Sequence, residues 1–445
     1  LISANVKNKW LLKGNVVRGN MRKMVLIWLL LFALLALAFT FKAERVRASP
    51  KDIWVPYNYP TIQAAINAAD PGDVIHVASG TYGGADIRKP LTLIAEGEVI
   101  INGYFWVGQT NNVNIYNFRM QNDFYGVWLY AANSCIIENN YISSEDSGIL
   151  FEHAFNNYVF NNTITIASKG FELRDSSNNY IIGNTLSNYF GIEFWAGSNN
   201  NTIYNNWVNC SYHSLRISYT AFDNLIFHNN FIGNNSVEFY PPISNNKWFL
   251  DWPVGGNFWS SHTSPDVKSG RYQNEPGSDG ICDNYYTIAG GVVDAYPLMG
   301  PCNRFEVRFG PPIPSKQEIS VISNSSISDF QMNTAQKTIS FNVSGKSGIG
   351  FCRVDVPNVI VSGLWKNNYK VLVNGQEPLY MRNWTSGATT YIYFQYQHST
   401  KEVVIVPEFQ SALIPILLIL STIIISTKKL SHKKPHPIYF FSSTP

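Results

Sequence analysis

Six short segments constrain this chain more than any other feature. Gly126-Val-Trp-Leu, Gly148-Ile-Leu-Phe, Gly170-Phe-Glu-Leu, Gly191-Ile-Glu-Phe, Ser214-Leu-Arg-Ile and Ser236-Val-Glu-Phe follow one another at spacings of 22, 22, 21, 23 and 22 residues. A second register, Asn117, Asn139, Asn161, Gly183, Asn205 and Asn229, repeats at 22 and finally at 24. A fixed period of this length marks stacked units that cannot bury an apolar face alone. The repeat is too short for a propeller blade, and the Leu-x-x-Leu-x-Leu of leucine-rich repeats is absent. The pattern predicts an all-β chain built on a right-handed parallel β-helix, one coil per repeat, with coils about 4.8 Å apart.

Alternation within each segment sends its second and fourth residues inward, so Val127/Leu129, Ile149/Phe151, Phe171/Leu173, Ile192/Phe194, Leu215/Ile217 and Val237/Phe239 form apolar stacks. Asn supplies 30 of the 150 residues from 101 to 250. It tolerates left-handed backbone angles, and stacked amides hydrogen-bond from coil to coil, so the recurrent Asn positions read as structural corners.

An open solenoid end exposes unpaired strand edges. Residues 60–69, with Ile62, Ala65, Ile66 and Ala69 on one helical stripe, predict a capping helix. Asp70-Pro-Gly-Asp73 ends it, and Val74-Ile-His-Val77 begins the first strand. With Gly80-Thr-Tyr, this opening resembles pectin-lyase-like parallel β-helix proteins. The Asn-Asn-Thr-Ile coils resemble the archaeal cell-surface NosD-like members of that group. Gly256-Asn-Phe-Trp259, Asp279-Gly-Ile-Cys-Asp283 and Asp294-Ala-Tyr-Pro-Leu-Met match the family's closing segment in part, with Cys282-Asp283 where Gly-Asp is usual. The resemblance covers roughly residues 50–300 and implies the fold; the fold hosts lyases, hydrolases, epimerases and plain binders alike.

Solenoid and cap are expected over 50–302. Pro311-Pro-Ile-Pro314 reads as a stiff linker, and short alternating runs (319–322, 339–343, 351–356, 369–373, 391–396 and 403–406) with an Asn374-Gly375 turn predict an immunoglobulin-like β-sandwich over 303–407. Its role is a stalk or a second binding module.

The ends carry address signals. Arg22-Lys-Met precedes the apolar run Val25–Phe39, so 21–48 reads as a signal peptide or an uncleaved anchor, and 1–20 as an extension upstream of the true start. Residues 409–427 are uncharged and long enough to cross a membrane, and the tail 428–445 opens with Lys428, Lys429, Lys433 and Lys434. These predict a cell-surface protein with one C-terminal anchor. Sequons at Asn161, Asn200, Asn209, Asn234, Asn324, Asn342 and Asn383 are compatible with glycosylation there. A net charge of +3 from 33 basic and 30 acidic residues argues against nucleic acid as a partner.

The third residue of each repeat segment points outward, as does the residue two further on. Those columns read Trp128, Leu150, Glu172, Glu193, Arg216, Glu238 and Tyr130, Glu152, Arg174, Trp195, Ser218, Tyr240. Rings stack on the apolar faces of sugars while carboxylates and Arg take hydroxyls, so the strip predicts polysaccharide or surface-glycan binding. A salt-bridged structural ladder accounts for the same residues. A third reading makes Glu172, Glu193 and Arg216 catalytic in a glycoside hydrolase or lyase, since stacked acids lie near the spacing of a retaining pair. The resemblance does not sharpen it: the chain lacks the paired Asp-Asp of polygalacturonases, and Arg216-Ile-Ser stands where they carry Arg-Ile-Lys.

Asp279, Asp283 and Asp294 form an oxygen-rich stretch that suits calcium or a set of Asx turns, and Cys282 and Cys302 are candidates for a disulfide. Six of the eight histidines, His76, His153, His213, His228, His262 and His398, occupy different corners of the repeat without Met or Cys companions, so copper is not expected despite the NosD resemblance.

Overall fold

The computed structural model describes residues 49–121, 123–165, 167–233, 236–241, 245–309 and 316–408. The expected signal, membrane span, basic tail and Asn234 lie outside them. Among the described residues no helix is long and apolar enough to cross a membrane.

The repeat folds as a parallel β-solenoid of about 8 turns near 22 residues per coil. Its register is the one the segments imply. Val127 pairs with Ile149, Ile149 with Phe171, Phe171 with Ile192, Ile192 with Leu215 and Leu215 with Val237. A middle coil adds two three-residue strands, such as Ile136–Glu138 and Tyr141–Ser143, before a longer one, Ser147–Glu152, and in later coils the last two run together, as in Thr185–Phe194 and Trp207–Ile217. Small residues open the longer strands for a steric reason. A Cβ on Gly148 would meet Ile164 Cγ2 at 2.3 Å and Gly170 O at 2.8 Å, so the corner closes only without a side chain.

Corners and ladders are made by neighbouring residues. Asn117, Asn139, Asn161, Gly183 and Asn205 have positive φ, and the sixth member of that column is His228, not Asn229. Asn229 belongs to the column one residue on, Asn140, Asn162, Asn184, Asn206, Asn229 and Asn257, whose buried amides link the coils. The backbone N–H of each donates to Oδ1 of the next at 2.9–3.1 Å. A second ladder runs through Asn157, Asn179, Asn201, Asn224 and Asn246. The ladders satisfy buried backbone donors that the corners take out of the sheet.

At the N-terminal end the strand Asp52–Val55 adds itself below Val74–Val77, and the helix Ile62–Ala68 closes the coil. Thr61 caps it by accepting the Ala64 N–H at 3.1 Å, while Ile62, Ala65 and Ile66 face the core. At the other end Phe258–Trp259 pairs with Asn230–Phe231, and Trp259 stacks between Phe231 and Tyr286.

Residues 302–407 form two antiparallel sheets sharing one core, which includes Ile319, Val354 and Ile392 from one and Ile339, Val371 and Val403 from the other. The strands Cys302–Arg308 and Lys316–Ser323 pair with each other, so Pro311–Pro314 connects two strands of one sheet and is not an interdomain linker. Asn374-Gly375 forms a tight turn, with both residues at positive φ, but its flanks go to different sheets. Solenoid and sandwich belong to one compact unit. The contact is intimate: the fully buried Arg353 is paired with Asp355 and donates to Val254 O at 2.8 Å and Asp279 O at 3.4 Å.

Candidate functional site

Backbone pairing places the predicted outward columns side by side. Asp86, Trp106, Trp128, Leu150, Glu172, Glu193, Arg216 and Glu238 stack in register. Tyr130, Glu152 and Arg174 stack beside them. Sequence reasoning missed a third column, Tyr125, Ser147, Lys169, Phe190 and His213. Its signal was available: these residues stand two places before each segment's second residue. It also missed Asp86 and Trp106, which extend the face by one coil at a time toward the N-terminus.

The central residues of the middle column, Leu150, Glu172 and Glu193, face outward yet are closed to solvent. Leu150 and Glu193 are 0 % exposed and Glu172 is 2 % exposed, because the flanking columns fold over them. Lys169 from one side and Arg174 from the other converge on Glu172. The lysine Nζ lies 3.1 Å from Oε2 and the arginine Nε 2.8 Å from Oε1, and Ser147 Oγ donates at 2.9 Å. Burial pulls the Lys169 pKa down, but Asp146 and Glu172 overcome it and leave it raised. Glu193 accepts from Arg216 Nη1 at 2.6 Å and Trp195 Nε1 at 3.2 Å. Arg216 also donates to Glu238 Oε2 at 2.7 Å and to the Tyr240 hydroxyl.

So Glu172 and Glu193 are adjacent, as expected, but each is saturated by its own cation. A catalytic carboxyl must reach the proton it moves, and these two are enclosed by side chains already bonded to them. The centre of the strip is a buried ion-pair network, in which removing one partner would strand a charge.

The rings present open chemistry. Trp106 stacks on Tyr130 at 6.1 Å between centroids and carries the Arg88 guanidinium at 4.3 Å. Trp128 packs edge-on against Tyr130 and donates to Glu152. Three coils on, Trp195 stacks on Tyr240 at 5.4 Å. All five rings are partly exposed; Trp106, Trp128 and Tyr130 form one patch on the N-terminal side of the ionic centre, and Trp195 and Tyr240 form another beside Arg216, whose guanidinium lies 5.5 and 5.3 Å from their centroids.

Other candidates do not assemble. Asp279 accepts from Trp252 Nε1, Gln273 Nε2 and the Ile281 N–H; Asp283 accepts the Val267 and Lys268 N–H groups; Asp294 accepts from Asn257, Trp259 and Tyr296. Each carboxylate serves a different set of N–H donors. Among the described residues no three His, Cys, Asp or Glu side chains are grouped to hold a metal, so the calcium expectation finds no cage. Cys282 and Cys302 are free thiols, not a disulfide. Cys282 Sγ contacts Met299 in the cap, whereas Cys302 Sγ points at Asn205 of the solenoid, so the two thiols are turned to different neighbours. Of the sequons, Asn161, Asn200, Asn209, Asn324 and Asn383 are exposed, and Asn342 is half-buried against Asp329.

The family model described as periplasmic copper-binding protein (NosD) matches residues 73–264. Among the described residues, three histidines of the matched segment do not fit copper: His153 bonds Asp175, His213 bonds Ser236 and His228 bonds Val254 O, and no three His, Cys, Asp or Glu side chains group around any of them. No curated protein matches the chain. Among solved structures, it is similar to an alginate lyase from Paenibacillus sp. (15% identity, covering 47% of this chain and 98% of that one, TM-score 0.26). It is also similar to the pectate lyase Pel9A (11% identity, 50% and 84% covered, TM-score 0.28). A third is the tailspike of E. coli bacteriophage HK620 with a hexasaccharide (8% identity, 77% and 76% covered, TM-score 0.29).

Proposed function

We propose that the three-column face binds an extended, uncharged polysaccharide, and that the chain acts as an exported surface protein held by its apolar C-terminal segment. The observation that carries the binding reading is the pair of partly exposed aromatic patches on one rigid face, Trp106/Trp128/Tyr130 and Trp195/Tyr240. Rings of this kind offer flat apolar area at little entropic cost. The ion pairs narrow the ligand: Lys169, Arg174 and Arg216 are committed to Glu172, Glu193 and Glu238, leaving them little to give an acidic sugar. The same saturation disfavours cleavage by Glu172 and Glu193. The surface address rests on the basic-then-apolar run at 22–39 and the apolar-then-basic run at 409–434.

The test exposes the full chain to neutral and uronic polysaccharides by affinity electrophoresis, with and without calcium. New reducing ends and unsaturated-uronate absorbance are read in the same samples. Retention on a neutral polysaccharide without product, weakened about tenfold by Trp106→Ala, is the expected result. No retention on any neutral polysaccharide, or retention that ignores Trp106→Ala, would overturn the reading. Product that disappears in Glu193→Gln would instead make the protein a lyase or hydrolase.

A further inference from the structure

The C-terminal cap holds a recess of about 490 Å³, walled by Arg271, Tyr272, Gln273, Asp283, Tyr285 and Tyr296. Arg271 and Tyr272 are the central residues of a turn closed by the Gln273 N–H donating to Gly270 O at 3.0 Å. Tyr296 Oη donates to Arg271 O at 2.8 Å and pins the turn through its backbone, leaving the Arg271 side chain out of the support. Tyr272 and Tyr285 are 79% and 62% exposed, an unusual outlay of ring surface for two residues beside one recess. The Arg271 guanidinium makes no salt bridge among the described residues, in contrast to Arg174, Arg216, Arg304 and Arg353. Asp283 also lines the recess, and its oxygens accept the Val267 and Lys268 N–H groups.

A second observation points the same way. Gln273 is 8% exposed, and its Nε2 donates to Gly270 O and Asp279 Oδ2, both at 3.1 Å. Those two acceptors fix the amide orientation, so the atom left over is the carbonyl Oε1, which has no hydrogen-bond partner among the described residues. A buried acceptor without a donor is costly unless a water or ligand hydroxyl supplies one.

We propose that this recess is a binding site for a sugar residue bearing a carboxylate. The Arg271 fork pairs with the carboxylate, the Tyr272 and Tyr285 rings take the apolar faces of the sugar, and a ring hydroxyl reaches the Gln273 oxygen. The proposal is independent of the three-column face, whose cations are already engaged.

The test titrates the full chain with a glucuronic-acid disaccharide by calorimetry, with a neutral glucose disaccharide and a sulfated disaccharide as the other arms. Binding of the acidic disaccharide that weakens with salt, falls at least about tenfold in Arg271→Ala and is unchanged in Trp106→Ala is expected. Arg271→Ala should melt like the parent, because the turn is gripped through the backbone. Arg271→Lys, which keeps charge but loses the fork, should recover part of the affinity. Absence of binding by the acidic disaccharide, binding of the neutral one that Arg271→Ala weakens equally, or an Arg271→Ala variant that binds the acidic one like the parent would each overturn the site. Binding of the sulfated disaccharide alone would overturn its assignment to a carboxylate.

Discussion

Asp294 Oδ2 accepts the backbone N–H of Asn257 at 2.7 Å, and this contact ends the asparagine ladder. Each rung upstream needs the next residue's side-chain oxygen as an acceptor, and at the last rung a carboxylate supplies it with no donor of its own to satisfy. The same carboxylate takes Trp259 Nε1 at 3.0 Å and the Tyr296 N–H at 3.2 Å. It also explains Gly256, where a Cβ would sit 1.9 Å from Asp294 Oδ1. The partial closing motif Gly256-Asn-Phe-Trp259 with Asp294 is therefore a ladder terminus.

Replacing Asp294 with Ala should destabilise the chain by about 3 kcal/mol or more, since it strands several buried donors. Chelator should leave the melting temperature of the parent unchanged, because Asp279, Asp283 and Asp294 serve separate donor sets. Melting in EDTA against added calcium checks the second point, and a clear upward shift with calcium would restore the metal reading.

Asn161 and Asn162 are neighbours with opposite roles. Asn162→Ala removes the oxygen that receives both N–H and Nδ2 of Asn140, at 3.0 Å each, and should cost about 2–3 kcal/mol. Asn161→Gly keeps the left-handed corner and should change stability by less than about 0.5 kcal/mol. Denaturant unfolding of the two variants side by side checks this; equal losses would mean the ladder is misassigned.

Arg353 joins sandwich to cap. Arg353→Met leaves Asp355 without its buried partner and takes from Val254 O one of its two partners, the other being His228, so a loss of about 3–5 kcal/mol is expected. Limited proteolysis should then cut between cap and sandwich sooner than in the parent. Unchanged stability and cleavage would show that the two parts are held by apolar contact alone.

Acid should favour the cap. Burial pushes Asp266 from 3.8 up to about 7, against the pull of the Asp279 and Gly280 N–H groups, and pushes Asp294 from 3.8 up to about 6. A carboxyl whose folded pKa is raised keeps a proton that the unfolded chain has released. Its stabilisation is complete below about pH 4 and is lost as pH rises toward 7. Relative to Asp266→Asn, the parent should lose up to a few kcal/mol between about pH 5 and about pH 7.5. Unfolding followed by tryptophan fluorescence measures the difference, and a difference that stays flat across that window would rule the protonation out.

Much of the solenoid was legible because its signal is local and repeated. Gly148 and Gly170 mark corners that exclude a Cβ, and the apolar alternation after them sets which residues point inward. The slip at Asn229 has an equally local cause. In Asn139-Asn140, Asn161-Asn162 and Asn205-Asn206 the first residue turns the chain and the second carries the ladder, but His228-Asn229 breaks the look-alike pairing. The strands Ser326–Asn333 and Tyr380–Ser386 were missed because they lie at sheet edges and alternate only weakly. The docking of Arg353 was illegible, since its acceptors Asp279 O and Val254 O lie 74 and 99 residues away.

By itself the sequence determined the coil period, the inward stacks and the outward direction of Glu172 and Glu193, because alternation along a strand is a property of the backbone. Only the tertiary structure decided that these outward carboxylates are enclosed and already paired. Exposure depends on how far side chains of neighbouring columns reach. Lys169, Arg174 and Arg216 are long enough to cross the face and are drawn to the charges they cover. That turns the centre of a candidate active strip into a support for the rings beside it.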